Sequence, residues 1–273
     1  MPLVFYNNKN VTRWVDLPFL PNKVTGLILW MDANDPNNTG IQPSNGSTIS
    51  TWKDKSGGGR DATANTPITY NTTGLNSKPA LTFTKTQWLT GNVSNTNNTM
   101  TIFGVCSMNS LSAASARIIG FSNGTGVHDF NNVGFMGFLR QSNSGIGPYR
   151  NGAFTSQNPV ISSTPSYSTP YLFECWFDGT NEYATVQIGN TTSITSAASS
   201  GNFAITYYTI GNNPDTSDGG GPFYGFMSEI LVYNTLLSTT DREKVEGYLS
   251  WKWGIQGNLP STHPYYSVSP RYY

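Results

Sequence analysis

The sequence predicts an all-β chain of two packed antiparallel sheets, with one amphipathic helix near the C-terminus over about 239–253. Three observations point there. Charged residues are 11% of the 273, well below the roughly 25% of an average soluble domain, while Gly and Pro number 28 and 16. Short apolar runs with period-two alternation recur from Leu27 to Tyr233, separated by Gly, Asn, Pro and Ser clusters. No helical pattern alternates with these runs, which excludes a parallel α/β sheet.

Strands are expected at 80–83, 101–108, 117–122, 133–141, 204–211 and 223–234. In "YLFECWFD" Tyr171, Phe173, Cys175 and Phe177 share one face, as do Ala184, Val186 and Ile188 in "EYATVQIG". The two runs read as an antiparallel pair across the turn "DGTN". The helix in "LSTTDREKVEGYLSWKWG" has well-marked borders. Ser238 is its N-cap, Asp241 stands in for the capping-box Glu, and Gly254 occupies the left-handed C-terminal position. Val245, Tyr248, Leu249 and Trp253 form one stripe for docking on a sheet, and Arg242, Glu243 and Glu246 are expected on the solvent side.

At this length a β sandwich forms a single domain. Net charge is zero and no basic tract occurs, so nucleic acid is not an expected partner. The opening "MPLVFYNNKNV" has no basic segment followed by an apolar one, and no later run approaches the roughly 20 apolar residues of a membrane span, so neither a secretion signal nor an anchor is expected. Cys106 and Cys175 lie in strand-like apolar runs and read as buried free thiols, the alternative being a disulfide; with His128 and His263 they fit no zinc pattern.

"LWMDANDP" (29–36), "STWKDKSGGGRDATA" (50–64), "GLNSKPALTF" (74–83) and "GFMSEILVYNTLLSTTDREKVEGYLSWKWGIQGNLPSTHPY" (225–265) resemble the concanavalin A-like lectin/glucanase superfamily. The closest branch is the laminin-G-like domains of bacterial surface proteins and of virion proteins of large DNA viruses. The resemblance implies a jelly-roll sandwich over 25–262, flanked by an N-terminal extension (1–24) that could serve as a docking arm and an aromatic C-terminal tail (263–273). It also implies that calcium, held by loop carboxylates, is the cofactor to look for, although none is required.

Sequence patterns for chemistry are sparse. Of the five Glu residues none starts the E-x-D-x-x-E pattern of the superfamily's glucanases; Glu174 and Asp178, on one strand face, are the nearest to a carboxylate pair. Asp215 and Asp218 beside flexible Gly are the first choice for a metal, although a solvated hairpin explains them equally well. Asp32, Asp35, Asp54 and Asp61 are the second choice, but beside Trp30 and Trp52 they read first as residues that satisfy turn N–H groups. Asp129, Asn131, Asn132, Tyr149, Arg150 and Asn151, on expected loops, form the candidate glycan site. Trp14, Phe19, Tyr265, Tyr266, Tyr272 and Tyr273 are candidate anchors for neighbouring subunits, or else pack back on the domain itself.

These features lead to the expectation of a non-enzymatic structural or surface protein, a capsid component of a large virion assembled in the host cytoplasm, which contacts other capsid proteins through its termini and glycans through its loops. The alternatives are a free carbohydrate-binding lectin of bacterial-surface type, extracellular or at the cell surface, and a divergent glycoside hydrolase.

Overall fold

The computed structural model describes residues 4–5, 13–14, 17–110, 115–132, 134–141, 145–150, 165–188, 191–198, 201–215 and 221–272. Its main sheet contains β1 (Leu27–Asp32), β2 (Thr48–Trp52), β3 (Ala62–Leu75), β4 (Lys78–Thr84), β5 (Leu89–Asn95), β6 (Thr99–Met108), β7 (Ser115–Ser122), β8 (Met136–Gln141), β9 (Gly145–Arg150), β10 (Tyr171–Asp178), β11 (Asn181–Ile188), β12 (Thr191–Ala198), β13 (Ile205–Ile210) and β14 (Tyr224–Tyr233). The α-helix α1 (Thr239–Lys252) follows the last of these strands.

Hydrogen bonding does not divide these strands into two sheets, as the sequence led us to expect. They form one 14-stranded antiparallel ladder in the order β9-β8-β7-β13-β5-β3-β4-β14-β6-β10-β11-β12, with β1 on β14 and β2 on β3. The ladder bends back on itself, so that β9 at one end lies against β11 near the other. Aromatic side chains meet across the enclosed core: Phe138 of β8 stacks on Phe173 of β10 at 4.4 Å, and Phe177 meets Phe203 edge-on at 5.2 Å. The continuity comes from β14. Tyr224–Met227 pair with β4, and after a register shift Glu229–Tyr233 pair with β1, so one bulged strand serves both arms of the ladder.

Every strand expected from alternation is present, and the "DGTN" hairpin joins β10 to β11 with Trp176 opposite Tyr183. The sequence reading missed β2, β3, β5, β9 and β12. In β9, "GIGPYR" looks like a loop because of its Gly and Pro; the strand terminates the ladder, where a missing N–H is tolerated. Cys106 and Cys175 are buried free thiols.

The helix begins as its capping residues require. Ser238 Oγ accepts from Asp241 N at 3.1 Å, and Gly254 has φ +69°, a conformation other residues adopt at a cost. Val245, Leu249 and Trp253 are buried against the sheet. The expected solvent side needs correction: Glu246 is only 7% exposed, and Lys252 extends its ammonium inward, 2.7 Å from Glu229 and 2.8 Å from Asp32. The helix lies deep enough that polar flanks as well as the apolar stripe are covered.

Glu229 explains that depth. It is fully buried on β14, and its carboxylate accepts from Trp30 Nε1 at 2.7 Å, Tyr248 Oη at 2.9 Å and Trp253 Nε1 at 2.6 Å, besides the Lys252 ammonium. Burial pushes its carboxyl above the usual range, Lys252 pulls it back and the nearby Asp32 carboxylate adds to the rise; each of its hydrogen-bond partners is a donor.

The terminal aromatics are placed on this chain. Leu17–Pro18 pair with Arg271–Tyr272, Phe19 is buried edge-on to Tyr248 at 6.0 Å, the Tyr265 carbonyl accepts from Trp251 Nε1 at 2.8 Å, and Tyr266 packs partly on the core. As candidate anchors for neighbours, Phe19, Tyr265 and Tyr266 are thus engaged within the domain. Trp14 and Tyr272 are described only in backbone pairings, and Tyr273 lies outside the described residues.

Replacing Glu229 by Ala leaves two indole N–H groups and a phenol without their acceptor and strips Lys252 of one of its two carboxylates. Urea denaturation of Glu229→Ala is expected to show a loss of about 3–5 kcal/mol, and Ser238→Ala a loss of about 1 kcal/mol.

Candidate functional site

The loop from Lys53 to Asp61 is built by its own carboxylates. Asp54 Oδ1 accepts from Trp30 N at 3.0 Å and Ser56 N at 2.9 Å, and Asp54 Oδ2 accepts from Ser56 Oγ at 2.7 Å and Arg60 N at 3.0 Å. Asp61 accepts from Asp54 N at 3.0 Å and from the Lys53 ammonium at 2.6 Å. Burial pushes the Asp61 carboxyl up, but the Lys53 and Asp54 hydrogen bonds outweigh it and hold it below the usual range. The structural role expected for these aspartates is therefore what the geometry displays. Between Asp32 and Asp35 sits the Lys55 ammonium, 3.2 and 3.3 Å away, so the position a cation could take is filled by a side chain.

The loop lies over the β3–β5–β13 surface and is clamped there by Tyr208, whose hydroxyl donates to Arg60 O at 2.7 Å. Gly91 lets the two surfaces meet, since a Cβ there would lie 2.5 Å from Tyr208 Oη and 2.6 Å from Asp61 O. Beside this contact opens a cleft of about 320 Å³, lined by Arg60 and Asp61 of the loop, Thr63 of β3, Thr90 and Asn92 of β5, and Tyr207 of β13. Tyr207 pairs with Asn92 across the ladder, so a half-exposed ring stands beside an exposed amide. Asp61 uses two of its roughly four acceptor positions, and the rest are open to a ligand's donors. An aromatic ring, an amide and a carboxylate are thus within one cleft.

The residues expected to bind glycan are arranged otherwise. Asp129 is fully buried and forms a forked ion pair with Arg117, at 3.2 Å to Nε and 3.1 Å to Nη2. Asn132 Oδ1 caps its own turn, accepting from Gly134 N at 2.8 Å, and Asn131 is exposed in the same turn. Tyr149 and Arg150 lie on β9, not on a loop. The Arg150 guanidinium is buried over Phe203 at 3.8 Å, and burial pulls its pKa down to about 10. Asn151 lies outside the described residues. Of the first-choice metal pair, Asp215 Oδ2 is 3.4 Å from His128 Nε2, and Asp218 is not among the described residues. Among those described, no group of three or more His, Cys, Asp or Glu could hold a metal.

Nor do Glu174 and Asp178 act as a pair. Asp178 caps the hairpin, accepting from Thr180 N at 2.8 Å, Asn181 N at 2.7 Å and Tyr183 Oη at 2.8 Å. Glu174 instead meets Glu246 of α1, both buried and hydrogen-bonded together, with Arg242 Nη1 3.4 Å from Glu174. Burial raises both carboxyls, Glu246 to about 7, so the pair retains a proton that neither would hold alone in water. Tyr265 N donates to His263 Nδ1 at 3.1 Å, which leaves the proton on Nε2 to donate to Glu246 at 2.9 Å. Nothing local marks Glu246, because a charged residue flanking an apolar stripe looks solvated. Tyr207 was missed because "AITYYTIG" shows alternation without showing which face remains open.

No family model and no curated protein sequence matches the chain. Among solved structures it is similar to domain 4 of an extracellular arabinanase from Geobacillus stearothermophilus in complex with arabinotriose, with a TM-score of 0.54, 12% identity, and coverage of 79% of this chain and 95% of that one. It is also similar to a GH54 α-L-arabinofuranosidase, with a TM-score of 0.57, 12% identity, and coverage of 89% of this chain and 61% of that one. A Trypanosoma rangeli sialidase with sialic acid aligns at a TM-score of 0.49 and 15% identity, over 87% of this chain and 36% of that one. The chain thus spans less than two thirds of the length of the latter two. The likenesses to the arabinanase domain and the arabinofuranosidase show the fold alone. They overturn the expectation of a non-enzymatic protein, since the same fold occurs within glycoside hydrolases; and nothing in them supports a capsid role.

Glu246 holds its proton more tightly in the folded chain than in the unfolded one, where its pKa is near 4.5. The stability it contributes is complete below that pH and is lost as pH rises toward about 7. Thermal unfolding from pH 5 to 8 should show a decline of roughly 1–3 kcal/mol, and Glu246→Gln should flatten it.

Proposed function

We propose that this chain is a carbohydrate-binding domain whose recognition site is the cleft beside Tyr207. The observation that carries the proposal is the meeting of the half-exposed Tyr207 ring with the Asn92 amide, the Asp61 carboxylate and the Arg60 side chain in one cleft of about 320 Å³. A sugar ring presents one C–H face and a rim of hydroxyls. Tyr207 takes the apolar face, Asn92 both donates and accepts at the rim, and Asp61 accepts. The cations and the carboxylate of the loop offset each other, which suits a neutral saccharide. The loop is held by Asp54 and Tyr208 before any ligand arrives, so binding costs little ordering.

Two further observations support the reading. The fold is similar to an arabinanase domain solved with arabinotriose, and the sequence blocks that resemble the concanavalin A-like superfamily and its jelly roll include the loop lining the cleft. An extracellular or cell-surface location goes with such a role.

Glycan-array screening followed by calorimetry with the captured oligosaccharides, arabinotriose included, tests the proposal. Wild-type protein is expected to bind at least one neutral oligosaccharide, and Tyr207→Ala to bind it about tenfold or more weakly, a change of about 1.4 kcal/mol, with its unfolding midpoint near that of the wild type. Absence of any bound glycan, or equal binding by Tyr207→Ala, contradicts it.

A further inference from the structure

The tripeptide Ser-Asn-Gly occurs twice in the sequence, at 44–46 followed by Ser47 and at 122–124 followed by Thr125. Asparagine before glycine has a reactivity of its own: the backbone nitrogen of the glycine can attack the side-chain amide carbon of the asparagine, because glycine has no Cβ to obstruct the approach. Asn45 and Asn123 are both exposed, and nothing stands within 4 Å of the position a Cβ would take at Gly46 or Gly124. The two places are alike in sequence, so a difference in reactivity between them comes from the fold.

The fold treats them oppositely. At Asn45 both reacting groups are held. Gly46 N donates to Tyr70 O at 2.9 Å, and Asn45 Oδ1 accepts from Thr72 N at 3.0 Å and Thr72 Oγ1 at 3.3 Å, which ties the side chain to β3. At Asn123 the side-chain amide has no hydrogen bond among the described residues, and Gly124 N makes a long contact, 3.4 Å, with Ser122 Oγ. Thr206 Oγ1 of β13 donates to Asn123 O at 3.0 Å. That oxygen belongs to the peptide whose nitrogen must lose its proton to attack, and it takes up the charge left behind. A hydrogen bond to the charged form favours it.

We propose that Asn123 is a site of spontaneous deamidation promoted by Thr206. Gly124 N gives its proton to water and bonds to Asn123 Cγ; the Cγ–Nδ2 bond breaks, and Nδ2 takes a proton from water and leaves as ammonia. Water then opens the resulting succinimide at either carbonyl, giving aspartate or isoaspartate. The product adds a negative charge at the end of β7, where Ser122 pairs with Tyr207. The assignment stands whether or not the Tyr207 cleft binds saccharide.

The test is incubation of full-length protein, produced in bacteria, at mildly alkaline pH, with peptide mapping by mass spectrometry at intervals. Asn123 is expected to convert about tenfold or more faster than Asn45, and about threefold or more slower in Thr206→Val, which keeps the shape of the side chain without its donor. In urea-unfolded chain the two asparagines are expected to convert at similar rates. An intact Asn123, equal rates at the two sites in the folded chain, an Asn45 that lags as far behind in urea, or unchanged conversion in a folded Thr206→Val overturns the proposal. Should that variant not fold, the comparison of folded with unfolded wild-type chain decides.

Discussion

The carboxylate of Glu229 is the interaction on which the rest of the architecture depends. A buried carboxylate of this kind is tolerable only when it is fully paired, and here the pairing partners are an indole from β1, a phenol and an ammonium from α1, and the indole of Trp253, which caps α1. Satisfying one residue thereby fixes the positions of three elements. Lys252 extends the arrangement to Asp32, and Asp32 extends it to Lys55 and the loop beyond. A chain with few charges concentrates them on one helix because there they latch the helix to the sheet, more than because they face water.

The same loop carries that order to the proposed recognition site. Asp54 ties the loop to Trp30 on β1, and the Tyr208 hydroxyl ties it to β13. The Tyr207 cleft is therefore lined by side chains from strands and from a loop with few free backbone groups, which is the support a preorganised binding surface needs. Turn carboxylates that read as purely structural thus also position the one of their number, Asp61, that faces the cleft.

Much of the fold was legible in the sequence. The helix ends followed from Ser238 and Gly254, because capping is a local interaction. The β10–β11 pair followed from alternation, because one face of each strand is buried. What was not legible depended on distant partners. Nothing local shows that Glu246 meets Glu174 on a strand 72 positions earlier in the chain, or that β14 serves two arms of one ladder through its bulge. The glycan cluster chosen from sequence failed for the same reason: Asp129 and Arg150 have the right chemistry for a ligand, but Arg117, Phe177 and Phe203 engage them inside the domain. Tyr207, Asn92 and Asp61 come from separated segments that only the ladder brings together.

The most direct test of the central claim is a crystal structure of the wild-type protein soaked with an oligosaccharide it binds, beginning with arabinotriose. The account predicts a sugar ring lying flat over Tyr207, with hydroxyls in contact with Asn92 and Asp61. A bound saccharide elsewhere on the molecule, with that cleft bare, would contradict it.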